Sequence, residues 1–273
     1  QTSKNQHSLQ WYGAMIEVCN VTKRYGAHLA VDDVSFRVES GEVVGFLGPN
    51  GAGKSTTMNI ITGYLSATDG KVTVDGIDVL EDPISVKSML GYLPELPPLY
   101  VEMTVRDYLQ FVSRVKRVPA AERDAIEGIM QTVGVDHVAD RMIRNLSKGY
   151  RQRVGLGQAL VGDPKALILD EPTIGLDPHQ IIEMRDLVRK LGEQRTVILS
   201  SHILPEVSAV CERIIIISHG KIVASDTAEN LGKSLSGSSR LSLRVKGEAA
   251  TAQAVVSGVE GVQSVKITSQ GDA

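Results

Sequence analysis

The sequence predicts an α/β fold built on a mostly parallel β-sheet. Three short apolar runs at 166–169, 196–199 and 214–217 read as buried strands. They alternate with helical patterns at 180–191 and 204–211. Continuous apolar strands that alternate with helices are typical of a parallel sheet covered on both faces. Such sheets bind ligands at the carboxyl ends of their strands, and this is where we look for a site.

A glycine-rich loop follows another predicted strand. Residues 48–56 read GPNGAGKST and fit the phosphate-binding pattern G-x-x-x-x-G-K-[ST]. The run 42–47 before the loop predicts a buried strand, and residues 55–61 after it predict a helix. Strand, loop and helix together distinguish a phosphate-binding loop from a glycine-rich turn that binds nothing. The fold prediction is therefore a P-loop nucleotide-binding core.

The chemistry of phosphate binding explains these residue types. The glycines let successive backbone N–H groups turn towards phosphate oxygens, and the helix start adds free N–H groups and a positive dipole end. Lys54 can reach the β- and γ-phosphates of a nucleotide, and the hydroxyl of Ser55 can bind Mg²⁺. The predicted phosphate contacts are Gly48, Asn50, Gly51, Ala52, Gly53, Lys54, Ser55 and Thr56.

Two further regions complete the predicted fold. Strands at 15–21, 31–38 and 71–76 indicate an antiparallel β subdomain, and residues from about 83 to 150 carry helical patterns and indicate an inserted helical subdomain. Within it, Thr104 is the predicted N-cap of a helix over 103–118, and a second helix covers 120–133. The basic run of Arg114, Lys116, Arg117 and Arg123 has two interpretations, a solvated helix face or a surface near a membrane or partner.

The ends of the chain are predicted to lie outside this core. Residues 1–14 are polar and patternless, and we expect a tag or disordered leader there. The predicted nucleotide-binding domain covers 15–234, and a Ser/Gly-rich linker covers 235–240. Residues 241–273 predict a strand, a helix over 249–257 and a strand over 262–268, which is a partial βαβ unit in a small α+β appendage.

Composition excludes several classes of protein. The net charge of −3 and the pI near 6.1 argue against a mainly electrostatic nucleic-acid binder. The two cysteines, Cys19 and Cys211, are far apart in sequence, so we expect neither a disulfide framework nor a zinc site, and a reducing compartment. No run of 18 apolar residues occurs, so the sequence predicts no membrane-spanning helix.

A pair of carboxylates follows the apolar run at 166–169. Asp170 is suited to hold Mg²⁺ directly or through water, and Glu171 is suited to polarise an attacking water. The alternative is that the pair only caps the end of the sheet. The phosphate loop elsewhere in the chain favours the catalytic interpretation.

Residues 146–152 read LSKGYRQ and resemble the LSGGQ-type signature of ATP-binding-cassette (ABC) ATPases, with Lys148 and Tyr150 as departures. Three more matches follow the family's order: residues 175–177 look like its D-loop, His202 like its switch histidine, and Tyr25 like its adenine-stacking aromatic. The resemblance covers roughly residues 15–234.

The resemblance implies a set of roles. The implied catalytic residues are Lys54, Glu171 and His202, and the implied metal ligands are Ser55, Glu95 and Asp170. Nucleotide contacts beyond the phosphate loop are Tyr25, Ser147, Gly149 and Asp177. The resemblance also implies a head-to-tail dimer that binds ATP and Mg²⁺, in which Ser147 and Gly149 of one copy close over the γ-phosphate held by Lys54 of the other. The alternative for Ser147 is an ordinary N-cap, and for Tyr25 and His202 a structural role.

Glu95 departs from the family pattern, because it stands where the family's Q-loop usually has glutamine. With residues 96–100 after it, this loop is similar to ATPases of the ABC-2 export class. The resemblance then implies a subunit bound peripherally to the cytoplasmic face of the inner membrane, with a separate transmembrane permease as partner and no nucleic acid. Two alternatives are a soluble ABC ATPase acting on ribosomes, which would usually carry two cassettes, and a DNA-repair ATPase, which would carry a long coiled-coil or zinc insertion. The sequence contains one phosphate loop and neither insertion.

Overall fold

The structure is a computed structural model that describes residues 14–119, 125–235, 243, 248–259, 261–262 and 264–267. Contacts within the chain divide it into two units, residues 1–231 and 232–273. No helix of the described residues is both long and apolar enough to cross a membrane.

The first unit contains two sheets. The smaller is antiparallel, with the order β2-β1-β4-β5, and its strands are β1 (Ala14–Tyr25), β2 (His28–Glu39), β4 (Asp69–Val74) and β5 (Ile77–Asp78). The larger has the order β10-β9-β3-β8-β7-β6 and comprises β3 (Val43–Leu47), β6 (Leu90–Leu93), β7 (Ala166–Asp170), β8 (Thr196–Ser201), β9 (Arg213–Ser218) and β10 (Lys221–Asp226). It is parallel except for the β9–β10 pair, so the α/β prediction is confirmed.

Nine α-helices are present among the described residues. They are α1 (Lys54–Ile61), α2 (Pro83–Met89), α3 (Val105–Val115), α4 (Ala125–Val133), α5 (Lys148–Leu160), α6 (Pro178–Gly192), α7 (Leu204–Ser208), α8 (Ala228–Leu235) and α9 (Ala249–Ser257). The predicted N-cap is present at α3, where Thr104 Oγ1 accepts a hydrogen bond from the N–H of Asp107 at 3.1 Å. The start of the second predicted helix, at 120–124, lies outside the described residues.

The larger sheet separates two hydrophobic cores. Because side chains alternate along a strand, Leu167 and Leu169 of β7 face one core and Ile168 faces the other. The first core joins the sheet to α3, α4, α5 and α6, and the second joins it to α1, α2 and the antiparallel sheet. Both faces of the parallel strands are therefore buried, as their continuous apolar runs predict.

The region 83–150 is not wholly a helical insertion. Leu90–Leu93 forms strand β6, which pairs in parallel with β7 at the edge of the larger sheet. A strand of four residues is too short to show a period, and only its pairing with β7 defines it. Gly91 allows this pairing next to α5, since a Cβ there would lie 2.4 Å from the backbone oxygen of Ala159. Strand β10 and helix α2 were also not predicted.

Among the described residues of the second unit, one of the three predicted elements is present. The helix over 249–257 is present as α9. The described residues 264–267 are not in a strand, so the strand predicted over 262–268 is wrong there; a lone pair of parallel strands gains too little pairing to be stable. The strand predicted at 241–245 lies outside the described residues except Leu243, which is in no strand. Helix α8 extends to Leu235, where the linker was predicted to begin.

Candidate active site

The phosphate loop joins β3 to α1, and neighbouring strands fix its path. A Cβ on Gly48 would lie 2.3 Å from the backbone oxygen of Ile217 in β9. Gly53, the N-cap of α1, has φ of 108° and a left-handed conformation that disfavours side chains. A Cβ there would also lie 2.7 Å from the backbone oxygen of Ala30 in β2. The loop therefore requires glycine at both positions.

Lys54 is the first residue of α1, and its side chain is only 5% exposed. Its Nζ donates hydrogen bonds to the backbone oxygens of Gly48 at 2.8 Å and Pro49 at 3.3 Å. It also lies 3.2 Å from Glu171 Oε1 and forms an ion pair. These oxygens compensate for the burial of the ammonium group and hold it at the loop.

Glu171 lies directly beyond β7, between Lys54 and His202. Its Oε2 lies 3.0 Å from His202 Nδ1, and its backbone φ is 48°, in the left-handed region. Its N–H donates to Ser200 Oγ at 3.0 Å, and Ser200 Oγ in turn donates to Asp170 Oδ1. The parallel pairing of β7 and β8 thus brings together both predicted carboxylates and the predicted switch histidine.

A cleft of about 340 Å³ opens beside these groups. It is lined by most of the predicted nucleotide contacts, with Tyr25 and Glu95 also at its wall. Tyr25 is 47% exposed, and Lys23 Nζ lies 5.4 Å from the centre of its ring. Three other residues line the cleft without belonging to any sequence motif: His28, Ala30 and Ile174. The predicted turn after Tyr25 is the sequence signal for His28, which pairs with Tyr25 across it. The complete lining is Tyr25, His28, Ala30, Asn50, Gly51, Gly53, Lys54, Ser55, Thr56, Glu95, Glu171 and Ile174.

The chain offers oxygen donors for a hard divalent cation. Ser55 and Glu95 line the cleft, and Asp170 is buried behind it with one carboxylate oxygen bound by Ser200. Mg²⁺ prefers oxygen ligands such as these and keeps several waters of its own. The donor set therefore fits Mg²⁺, with Asp170 better placed to act through water.

Tyr92, on β6, lies near enough to Asp170 to feel its negative charge. Burial, and secondly the negative charge of Asp170, raise the pKa of Tyr92 above its ordinary value. Its hydroxyl therefore stays protonated and donates a hydrogen bond to Asn59 Oδ1 at 2.9 Å. No sequence motif marks Tyr92.

Gly48 and Ala52 of the phosphate loop do not line the cleft, and neither do three predicted nucleotide contacts outside that loop. Ser147 is the N-cap of α5, and its Oγ accepts from the N–H of Tyr150 at 3.4 Å. Asp177 is the N-cap of α6 and accepts from the N–H of Gln180 at 2.9 Å. The two helix starts meet, because a Cβ on Gly149 would lie 2.6 Å from Gln180 Oε1. These residues form a second group, at the adjacent N-termini of α5 and α6.

The loop, the buried lysine and the two carboxylates at the end of β7 define a P-loop nucleotide-binding protein. The family model described as ABC transporter matches residues 31–174. Two Bacillus proteins are similar. One is the "Uncharacterized ABC transporter ATP-binding protein YhcH" of Bacillus subtilis, 40% identical over 77% of this chain and 68% of its own length. The other is the "Bacitracin transport ATP-binding protein BcrA" of Bacillus licheniformis, 34% identical over 80% and 72%.

A solved structure agrees with these relatives. It is a dimeric, post-hydrolysis ATP-binding cassette bound to ADP and Pi, with a TM-score of 0.71 and 26% identity, covering 78% of this chain and 99% of that one. The chain therefore belongs to the ABC transporter family, as an ATP-binding component with the fold of its ATPases. The family predicted from the motifs is confirmed.

Proposed function

We propose that this chain is the nucleotide-binding subunit of an ABC exporter. It binds Mg-ATP, hydrolyses it in a head-to-tail dimer, and thereby drives a separate transmembrane permease. The observation that carries the proposal is the placement of Glu171 between Lys54 and His202 at the wall of the cleft. A carboxylate held there is positioned to act on a water beside a phosphate that Lys54 binds.

Each of these groups has one chemical task. Lys54 and the backbone N–H groups of the loop hold the β- and γ-phosphates. Glu171 orients the attacking water and accepts its proton, and His202 holds the carboxylate in place through the 3.0 Å contact. Mg²⁺, held by Ser55, Glu95 and Asp170, would neutralise charge that develops on the phosphate oxygens. Tyr25 offers an exposed ring on which adenine can stack.

The dimer proposal is supported by the second group of residues. Ser147, Gly149 and Asp177 do not line the cleft of their own chain, and they lie at the N-termini of two helices, where free N–H groups favour anions. A γ-phosphate held by Lys54 can meet such a group only on another copy. In this arrangement Ser147 and Gly149 of each copy cover the nucleotide of its partner.

The export proposal depends on the relatives and on one surface. The Bacillus licheniformis relative is named for bacitracin transport. Directly after Glu95, the side chains of Leu96 and Tyr100 are 77% and 56% exposed. This surface directly follows Glu95 in the chain. A partner bound to it would therefore contact residues next to a side chain that lines the nucleotide cleft. We place the subunit at the cytoplasmic face of the membrane, attached through its permease.

Hydrolysis and co-purification test the proposal together. We expect the purified chain to hydrolyse Mg-ATP, Glu171→Gln to lower kcat by about a hundredfold or more, and a multi-span membrane protein to co-purify with the tagged chain. Substituting Leu96 and Tyr100 by serine should reduce that co-purification and spare ATP binding. Wild-type turnover by Glu171→Gln would refute its catalytic role. Co-sedimentation with ribosomes in place of the membrane protein would favour the soluble alternative.

A further inference from the structure

A buried carboxylate lies behind the candidate active site and has no role in the hydrolysis proposed above. Glu206, on α7, is 7% exposed. Its Oε2 accepts hydrogen bonds from Thr173 Oγ1 at 2.6 Å and from Ser201 Oγ at 3.2 Å. A carboxylate buried in a protein is unfavourable unless its oxygens accept such bonds. The two hydroxyl groups therefore stabilise the buried carboxylate, and the carboxylate in turn fixes the residues that carry them.

Glu206 joins the two segments that carry the catalytic pair. Thr173 lies two residues after Glu171, and Ser201 lies immediately before His202. The two segments belong to neighbouring strands, β7 and β8. Ser201 is the last residue of β8, whereas Thr173 lies three residues past the end of β7, where the sheet does not fix its separation from the β8 segment. The 3.0 Å contact between Glu171 Oε2 and His202 Nδ1 depends on that separation. One carboxylate oxygen bound to both segments helps to set it, in addition to the hydrogen bond from the Glu171 N–H to Ser200 Oγ.

The local backbone also needs this support. Glu171 has a φ of 48°, which is unfavourable for a residue with a side chain and persists only where its surroundings fix it. A turn follows it, in which the N–H of Ile174 donates to the backbone oxygen of Glu171 at 3.1 Å. Thr173 lies inside this turn and is held by Glu206. On the other segment, Ser201 Oγ also accepts from the N–H of Ile203 at 3.1 Å and so fixes the turn around His202.

We propose that Glu206 is a positioning residue for hydrolysis, whose carboxylate fixes Glu171 against His202 through Thr173 and Ser201. The proposal rests on the roles of Glu171 and His202 proposed above. A displacement of about 1 Å in a catalytic group can lower a rate about a hundredfold. Loss of the hydrogen bonds to Glu206 should therefore lower kcat. Nucleotide binding, which depends on the phosphate loop, does not involve it.

Two substitutions of Glu206 separate its hydrogen bonds from its bulk. Glu206→Gln keeps an oxygen that can accept both hydroxyl donors, and we expect a kcat within about twofold of wild type. Glu206→Leu keeps similar bulk without an acceptor, and we expect kcat to fall about 10- to 100-fold with the KM for ATP within about threefold. Glu193→Leu, on an exposed residue at the end of α6, is the matched control and should hydrolyse ATP as wild type does.

A second variant keeps the test decisive if Glu206→Leu does not fold. Thr173→Val removes one hydroxyl at nearly constant shape and should lower kcat at unchanged KM. Combined with Glu206→Leu in a folded protein, it should add little, because both changes break the same bridge.

Thermal unfolding of each variant distinguishes positioning from stability alone. A lower unfolding temperature with wild-type kcat in Glu206→Leu, or wild-type kcat in Thr173→Val, would overturn the inference. Glu171→Gln, measured in parallel, separates this failure from that of the proposed function. If Glu171→Gln is slow and the Thr173 and Glu206 variants are not, only the positioning role is wrong; if Glu171→Gln turns over as wild type does, the catalytic roles themselves are wrong.

Discussion

Lys54 shows how a single buried charge can be held ready for a ligand. Its ammonium group contacts two backbone oxygens and one carboxylate, so its charge is compensated within the loop. Phosphate oxygens can take over the place of Glu171 as the anionic partner. That exchange would release the Glu171 carboxylate to orient the attacking water. Nucleotide binding would then prepare the catalytic group by breaking the ion pair between Lys54 and Glu171.

The first prediction concerns this lysine. Lys54→Ala should weaken ATP binding about 10- to 100-fold, since a hydrogen bond to a charged group contributes about 1.5–3 kcal/mol. Isothermal titration calorimetry with ATP measures the change. Lys190→Ala, on an exposed lysine of α6, is the control and should bind ATP as wild type does. An unchanged affinity in Lys54→Ala would show that the loop binds phosphate without its lysine.

Glu95 stands where the motif that this sequence resembles usually has glutamine. It lines the cleft together with Ser55, and its carboxylate offers Mg²⁺ an oxygen and a negative charge. Glutamine at the same position offers the oxygen alone. Both side chains can therefore bind Mg²⁺, but the uncharged glutamine should need a higher Mg²⁺ concentration to do so.

The second prediction follows from that difference. Glu95→Gln should keep substantial ATPase activity and require more Mg²⁺ for half-maximal rate, whereas Glu95→Ala should lose about tenfold or more in rate at limiting Mg²⁺. ATP hydrolysis measured across a Mg²⁺ titration distinguishes the two. Equal curves for the alanine variant and the wild type would count against a metal role for Glu95.

At the scale of elements, α3 illustrates how local chemistry begins a helix. The hydroxyl of Thr104 accepts from the N–H of Asp107 at 3.1 Å and donates to its carboxylate at 2.7 Å. The first bond satisfies one of the backbone N–H groups that a helix start leaves unpaired, and the second fixes the hydroxyl in place. The buried side chains Val105, Tyr108 and Leu109 then fix the helix against the first core.

The third prediction tests this cap. Thr104→Ala should lower the free energy of unfolding by about 1 kcal/mol, because the first turn of α3 loses its acceptor. Urea denaturation followed by circular dichroism measures it. Thr132→Ala, inside α4, is the matched control: its hydroxyl bonds back to the Gly128 oxygen, and alanine there should be neutral or slightly stabilising. A loss equal in the two variants would mean that the effect is not one of capping.

At the scale of the whole molecule, the proposed function brings the two groups of candidate nucleotide contacts together across two copies of the chain. Glu171 is the group that a closed dimer would have to accommodate beside a γ-phosphate. The like-charge repulsion between them grows as closure expels water. Removing the charge should therefore stabilise the closed form and slow the hydrolysis that opens it.

The fourth prediction is that Glu171→Gln accumulates an ATP-bound dimer that wild type forms only briefly. Light scattering with and without Mg-ATP at micromolar protein measures it. Adding Ser147→Arg should abolish that dimer, because it places bulk and charge at the N-terminus of α5. A Glu171→Gln protein that stays monomeric at saturating ATP, both alone and with its membrane partner, would refute the sandwich.

The sequence by itself determined the features that depend on local spacing. The phosphate loop, the N-cap at Thr104 and the buried strands β3, β7, β8 and β9 follow from residues within a few positions of one another. The residues of a motif determine the backbone conformation it can adopt, and a continuous apolar run is buried wherever it lies in the fold. These parts of the fold and the phosphate-binding side of the site could therefore be predicted.

Only the tertiary structure decided what depends on neighbours distant in sequence. Strand β6 is defined by β7, about 75 residues later, and no period marks it as a strand. The same holds for Glu206, which has no motif of its own and gains its place from Thr173 and Ser201 on two different segments. Hydrogen bonds between separate segments depend on distances of a few tenths of an ångström, and those are set by the packing of strands and helices against one another.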